Sequence, residues 1–251
     1  RRDFTVNAMA CTLDGEIIDP FGGMLDLKNK IIRCVGDPEK RFSEDALRIM
    51  RAVRFCSVLN FQLSKETENA LFQYQKFLEK ISIERIRDEF TKTLLSPCPE
   101  KIDFFRHFDV FRIFIPEFCS KSEYEAKSES EILKKLSQNF LERMSFLLYA
   151  AVPERVYETM KYMKYDNKTI SHVSSVVNCL TRPIPHSGYD IRKMLSDKHT
   201  APGLDTALHV QKAIFSNDLK TLALLDKAEK QLNITLKENV CVSLAQLALT
   251  G

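Results

Sequence analysis

Within EDALRIMRAVRF, residues 44–55, one acid, Asp45, stands three residues before Arg48, and arginine recurs at every third position through Arg51 and Arg54. On a helix, positions three apart lie side by side, so this spacing sets one acceptor beside a slanting row of donors. A carboxylate only accepts hydrogen bonds and a guanidinium only donates them. On the Watson–Crick edge, cytosine and adenine each carry an exocyclic amine beside an unprotonated ring nitrogen, so an Asp–Arg pair matches both. Uracil and guanine carry a carbonyl beside a ring N–H and meet the same pair donor against donor. Arg51 and Arg54, further along the row, can reach phosphates or hold the first two side chains in place.

A plainer account of the same residues exists. Asp45 and Arg48 can form a surface i, i+3 ion pair worth about 0.3–0.5 kcal/mol. Ser43 reads as an N-cap, with Glu44 and Asp45 in the first turn favouring the positive end of the helix dipole. Against this, Ala46, Leu47, Ile49, Met50, Ala52, Val53 and Phe55 fill most of the remaining circumference. A helix packed on several sides has little free surface for four ionic residues, and its charges are confined to a strip.

The elements that must position this helix divide unevenly along the chain. Four of the seven glycines fall in the first 36 residues, where Asp14-Gly15 separates two apolar runs as in a β-hairpin and DPFGG reads as a turn. From Ser43 onward the periodicity is helical, with Leu71, Tyr74, Leu78 and Ile81 three or four apart. Pro97 and Pro99, and then Pro183, Pro185 and Gly188, punctuate the helical part. The expected fold is mostly α: a small β-containing remnant, then a long helical arm. Two strands alone are marginal, so a chain that opens RRDFTVNA on a strand-like run reads as a piece whose first part is missing.

A composition of 44% hydrophobic and 28% charged residues is ordinary for a globular protein, and a net charge of +3 on 251 residues does not by itself imply nucleic acid. Seven cysteines scattered singly, without a CxxC pair, suggest reduced thiols rather than a disulfide or zinc framework. No apolar run approaches the ~20 residues needed to span a bilayer, so no membrane role is expected. Together these point to a soluble, intracellular, cytoplasmic protein. The five histidines, His107, His172, His186, His199 and His209, lack ligand spacing. Phe104, Phe105, Phe108, Phe111, Phe114 and Phe118 read as core, and residues 122–135 as a solvated helix face. Arg182, Arg192, Lys193 and Lys198 are candidates for RNA phosphates.

RRDFTVNAMA at 1–10, DPFGGMLDL at 19–27 and GDPEKRFSEDALRIMRAVRF at 36–55 resemble, in order and at compatible spacing, the later head-domain motifs of the class II nucleotidyltransferases that add CCA to tRNA. That superfamily includes bacterial poly(A) polymerases. The resemblance implies an enzyme that uses CTP and ATP on the tRNA acceptor arm. It implies that Arg2, Asp3 and Asn7 bind the nucleotide, that Asp45 and Arg48 read its base, and that Arg51 and Arg54 support them. SIERIRDEFTKTLL, 82–95, resembles the family's next motif, a brace for the base-reading helix. It further implies a head ending at 1–36, a neck at 37–96, a body at 97–182 and a tail at 183–251, where VSLAQLALTG resembles a segment that continues into a tail helix.

The family also implies Mg²⁺ held by an Asp-x-Asp pair on an early strand. Asp3, Asp14 and Asp19 are not spaced as that motif, so the metal ligands are expected upstream of this chain, and no residue here is assigned as catalytic or as a metal ligand. The alternatives are a poly(A) polymerase or a CC- or A-adding enzyme of the same superfamily, and, in another class, a non-catalytic RNA-binding helical module.

Overall fold

Asp14-Gly15 does close a hairpin. β1 (Ala10–Cys11) pairs antiparallel with β2 (Ile17–Ile18), Ala10 facing Ile18 and Cys11 facing Ile17. The loop is tied by Thr12 N–H to the Glu16 carbonyl at 2.9 Å, and Gly15 supplies the left-handed φ of +86° that a side chain would resist. This computed structural model describes residues 2–120 and 122–250, the side chains of residue 120 and of residues 239–250 excepted. Arg1 of RRDFT, the Cys241 side chain and the side chains of VSLAQLALTG therefore lie outside the described residues.

The expected strand territory also contains a helix, α1 (Gly23–Asn29), and the expected helical arm contains a strand. β3 (Ile31–Ile32) runs parallel to β4 (Gln62–Leu63), which follows α2 (Pro38–Glu44) and α3 (Leu47–Leu59). On the antiparallel side, Thr5 N–H bonds the Arg33 carbonyl at 2.9 Å and Val35 N–H bonds the Asp3 carbonyl at 3.0 Å. The β element is thus three short lanes gathered from residues 3–5, 31–35 and 62–64. α3 ends where Asn60 turns left-handed at φ +56°, which sends the chain back alongside β3.

α3 is the central helix of its unit. Ile49, Met50, Ala52, Val53 and Cys56 have no exposed surface, and α5 (Ile83–Leu94) packs along it, as the brace expectation required. Phe90 of α5 meets Phe105, Phe111 and Phe114 at ring separations of 5.0–6.2 Å. The phenylalanine series is core, as read, at Phe105, Phe108, Phe111, Phe114 and Phe118, with Phe104 half-buried, but it is carried by α6 (Asp103–His107) and short 3-10 turns rather than by one helix. Between β4 and α5 stands α4 (Lys65–Tyr74), capped by Ser64. α7 (Glu123–Lys135) is not solvated all round: Glu129, Ser130 and Leu133 are buried.

The chain divides into two compact units, residues 1–134 with 162–164 and residues 135–161 with 165–251. The proline-marked boundaries after 96 and 182 fall inside the first and second units respectively. In the second unit, α8 (Phe140–Ala151), α10 (Asn167–Leu180) and α12 (Leu204–Ile214) pack together, while α11 (Gly188–Ser196) and α12 flank α13 (Leu219–Thr250). α9 (Val156–Tyr162) completes the helices. Asn139, Asp166 and Ser187 cap α8, α10 and α11 through their side chains.

Candidate functional site

The helix expected to start at Ser43 is two helices with a break at Asp45. Asp45 is extended, with φ −152° and ψ 101°, and its Oδ1 accepts the Leu47 N–H at 3.1 Å. Asp45 therefore takes the capping role expected of Ser43, whose hydroxyl instead donates to the Lys40 carbonyl at 2.9 Å. The acid and the arginine three residues on do not pair. Oδ2 of Asp45 accepts from Arg85 Nη2 of α5 at 3.1 Å, and Arg48 turns to other partners.

One of those partners is distant in sequence and two belong to α2 just before it. Arg48 Nε donates to Oδ1 of Asp3 at 3.1 Å, and Nη1 donates to the Arg41 carbonyl at 2.5 Å and to Oε2 of Glu44 at 3.2 Å. Arg51 Nε donates to Oδ2 of Asp3 at 2.6 Å, and Arg41 Nη2 stands 3.9 Å from the same carboxylate. Arg54 donates to Oε2 of Glu89 at 2.6 Å, with its guanidinium 4.6 Å from the Phe55 ring centroid. The arginine row is thus threaded through two acids from outside the helix, Asp3 and the buried Glu89. Opposite charges this close, with little water between them, fix the guanidinium planes far better than an exposed helical pair does.

Of the other expected nucleotide residues, Arg2 is exposed and its carbonyl accepts from Arg41 Nη2 at 2.6 Å. Asn7 accepts the Phe4 N–H at 3.1 Å through its side-chain carbonyl, closing the turn after Asp3. Phe4 itself is fully buried against Phe55, which fixes the backbone that carries Asp3. The structure brings Asp3, Asp45, Arg48 and Arg51 together around the start of α3, while Arg54, two turns along the helix, is held by Glu89. Sequence reasoning missed Arg41, Arg85 and Glu89 as members of this network. Arg85 and Glu89 share an i, i+4 face of the bracing helix, which is the one local signal that could have found them.

The described residues do not fit Mg²⁺. They contain no group of three His, Cys, Asp or Glu side chains able to hold a metal. The Asp3 carboxylate is wrapped by guanidinium donors, and that of Asp26 is bonded to the Thr5 hydroxyl at 2.7 Å and to Arg33 at 3.2 Å. Asp19 is turned onto the N–H groups of Gly23 and Met24. The Met24 N–H first, then that of Gly23, hold its carboxyl below the usual range. Behind the site, burial pushes the Cys34 thiol up to about 12.

Residues 1–33 match the family described as "Poly A polymerase head domain", and residues 60–121 match that described as "Probable RNA and SrmB- binding site of polymerase A". In these segments and in the relatives that follow, the chain is similar to the poly(A) polymerase and tRNA nucleotidyltransferase superfamily. Within it, the similar curated proteins are CCA-adding enzymes. That of Lactobacillus helveticus (strain DPC 4571) is 35% identical over 218 residues, 84% of this chain and 53% of that protein. That of Anoxybacillus flavithermus (strain DSM 21510 / WK1) is 50% identical over 131 residues, 52% of this chain and 33% of that protein. The crystal structure of the Bacillus stearothermophilus CCA-adding enzyme in complex with CTP has a TM-score of 0.72 and 29% identity, covering 92% of this chain and 57% of that one. The chain thus spans about half the length, or less, of the relatives it matches. No described helix is long and apolar enough to cross a membrane.

Proposed function

We propose that this chain is the base-reading and RNA-holding portion of a cytoplasmic CCA-adding tRNA nucleotidyltransferase, which extends the tRNA 3′ end from CTP and ATP. The observation that carries this reading is the start of α3. There a partly exposed carboxylate, Asp45, is fixed by capping its own helix, three residues before an arginine held in place by Asp3 and Glu44. Such an acceptor and donor suit the Watson–Crick edges of cytosine and adenine and oppose those of uracil and guanine. Arg2, Asn7 and Arg51 are the proposed contacts to the rest of the nucleotide, and Arg54 locks α3 to its brace through Glu89. The helical arm is the proposed holder of the acceptor arm, through backbone contacts rather than sequence. In this reading the Mg²⁺ needed for phosphoryl transfer is held by carboxylates that this chain does not contain.

The family descriptions favour one rival, a poly(A) polymerase built on the same scaffold. The two part in a single assay. The full-length protein is incubated with tRNA lacking its terminal CCA, with CTP, with ATP and with both, and the products are sequenced. Addition of two cytidines followed by one adenosine supports the proposal, whereas an adenosine tract grown from ATP alone assigns the rival.

A further inference from the structure

The second unit carries positive charge that its own fold does not use. On α11, Tyr189, Arg192, Lys193 and Ser196 stand at i, i+3, i+4 and i+7, and all four are exposed, while Ile191 and Met194 on the other side are buried. Tyr189 is 67% exposed and makes no hydrogen bond or ring contact among the described residues. Arg192, Lys193 and Lys198, with Lys227 on α13, form no ion pair among the described residues.

The acids around them are committed elsewhere. Asp190 closes the capping box of α11 on Ser187, Asp197 holds Arg182 at 2.9 Å, and Asp226 and Glu229 both hold Lys212, at 2.7 and 2.8 Å. Arg182, expected beside Arg192 and Lys193 as a phosphate contact, is therefore the member of that set that already has a carboxylate. A cavity of about 250 Å³ joins the two helices, lined by His186 and Gly188 at the start of α11 and by Lys227 and Gln231 of α13. A Cβ on Gly188 would stand 3.1 Å from Gln231 Nε2 and 3.4 Å from Arg192 Nη1, so its absence lets an amide and a guanidinium close on the backbone there. The start of α11 is closed by its own capping box, so an anion at this surface meets side chains rather than the helix end.

Cations alone would fit any polyanion. A phenol ring exposed among them adds a flat apolar face, which suits a nucleic-acid base flanked by its phosphates better than it suits a carboxylate-bearing peptide. We propose that α11 and α13 form an RNA-stacking site, in which Tyr189 receives an unpaired base and Arg192, Lys193, Lys198 and Lys227 hold the phosphates on either side. The site gives the helical arm a preference for RNA that offers an unstacked base over a continuous duplex. It rests on the reading of the arm as an RNA holder and adds to it a contact that is not made to the backbone.

The test measures binding of tRNA lacking CCA, and of a loop-free RNA duplex of equal length, to the full-length protein over a salt series, with circular dichroism confirming the fold of each variant. Tyr189→Ala should weaken tRNA binding roughly tenfold, leave its salt dependence unchanged and leave the duplex unaffected, whereas Tyr189→Phe should bind as the wild type does. Arg192→Ala and Lys227→Ala should each reduce the slope of log affinity against log salt by about one, for tRNA. Wild-type affinity in Tyr189→Ala, or an equal loss on tRNA and duplex, overturns the stacking site, and an unchanged slope in both cation variants overturns the phosphate contacts. Tighter binding of a polyglutamate peptide than of tRNA would assign the surface to an acidic protein partner. A wild-type protein that binds no tRNA instead overturns the RNA-holding reading on which the proposal stands.

Discussion

Asp45 and Arg48 sit three residues apart and do not bond to each other: the acid caps α3 and holds Arg85, while the arginine is held by Asp3. A pair that satisfied itself would have to be broken before reading a base. Here each member is fixed from its far side, so the pair is preorganised. Among the described residues, Arg85, whose side chain is half exposed, is the one side chain bonded to the Asp45 oxygens.

Two effects should therefore separate in Asp45 variants. Asp45→Ala removes the acceptor of the Leu47 N–H and should lower stability by about 0.5–2 kcal/mol, the usual range for a lost cap. It should also relax the exclusion of UTP and GTP. Asp45→Ser keeps a capping oxygen, so urea denaturation should find it near the wild type while nucleotide selectivity remains impaired. If Asp45→Ser restores both stability and selectivity, the carboxylate reads nothing.

Glu89 offers a stability test at the brace. It is 5% exposed and accepts from Arg54 at 2.6 Å and from Lys92 at 3.3 Å. Glu89→Ala strands the Arg54 guanidinium, which is 19% exposed, against the Phe55 ring, and should cost about 3–5 kcal/mol. The exposed Asp45–Arg85 pair is the contrast: Arg85→Ala should change stability by less than about 1 kcal/mol. Comparable losses in the two variants, measured by urea denaturation, would show that Glu89 is less committed to Arg54 than the geometry requires.

How far the sequence could carry the reader is visible in these same residues. Asp14-Gly15 announces its hairpin because the signal is local, and the apolar positions of α3 announce a buried helix because their period is local. The break at Asp45 is hidden, since an acid in a first helical turn and an acid capping the next helix have the same neighbours in sequence. Gln62 and Leu63 are too few to show an alternation, and their pairing with Ile31 and Ile32 is a long-range event. The partners of the arginine row are the clearest case. Asp3 is 45 residues from Arg48 and Glu89 is 35 from Arg54, so spacing could show that a strip of charge existed but not what neutralised it.

The DPFGG turn makes a sharp prediction about its second glycine. A Cβ on Gly23 would stand 2.3 Å from the Thr5 carbonyl oxygen, a backbone atom that cannot move aside alone. Gly23→Ala should lower stability by about 3 kcal/mol and disturb the segment that carries Asp3. At Gly15 nothing lies within 4 Å, and only the positive φ resists a side chain, so Gly15→Ala should cost about 1–2 kcal/mol. Equal costs would mean that the Thr5 carbonyl moves aside with little loss.

Three buried thiols set an alkaline limit on stability. Burial pushes Cys34, Cys56 and Cys179 from the ordinary value of 9.0 up to about 12, because the thiolate is poorly solvated inside. The unfolded chain releases these protons first. Stability from this source is therefore complete below about pH 9 and falls as pH rises towards about 12, by on the order of 1 kcal/mol per thiol per pH unit. Urea midpoints under reducing conditions should fall between pH 8 and pH 10, and less so in a variant with all three cysteines replaced by alanine. In the native protein the exposed Cys11 should react with a thiol reagent well before these three. Rapid modification of all four would mean that the core opens readily.

The 251-residue chain by itself should hold tRNA and yet add nothing to it. Holding depends on basic side chains meeting phosphates, so affinity should fall steeply with salt and vary little among tRNAs that differ outside the acceptor and TΨC arms. Adding a nucleotide makes a different demand, the neutralisation of charge developing at the reacting phosphate by metal held between carboxylates. Among the described residues the carboxylates nearest the template are already committed: Asp3 to arginines, Asp45 to Arg85 and a helix cap, Glu89 to Arg54. Base positioning and phosphoryl transfer are therefore expected to separate. Purified chain incubated with tRNA lacking CCA, Mg²⁺, CTP and ATP should leave the tRNA unextended, while gel shifts over a salt series report its binding. Extension at a rate near that of a full-length CCA-adding enzyme would place the metal-binding carboxylates within these 251 residues, and the commitment of Asp3 to the arginines would then have to be reversible.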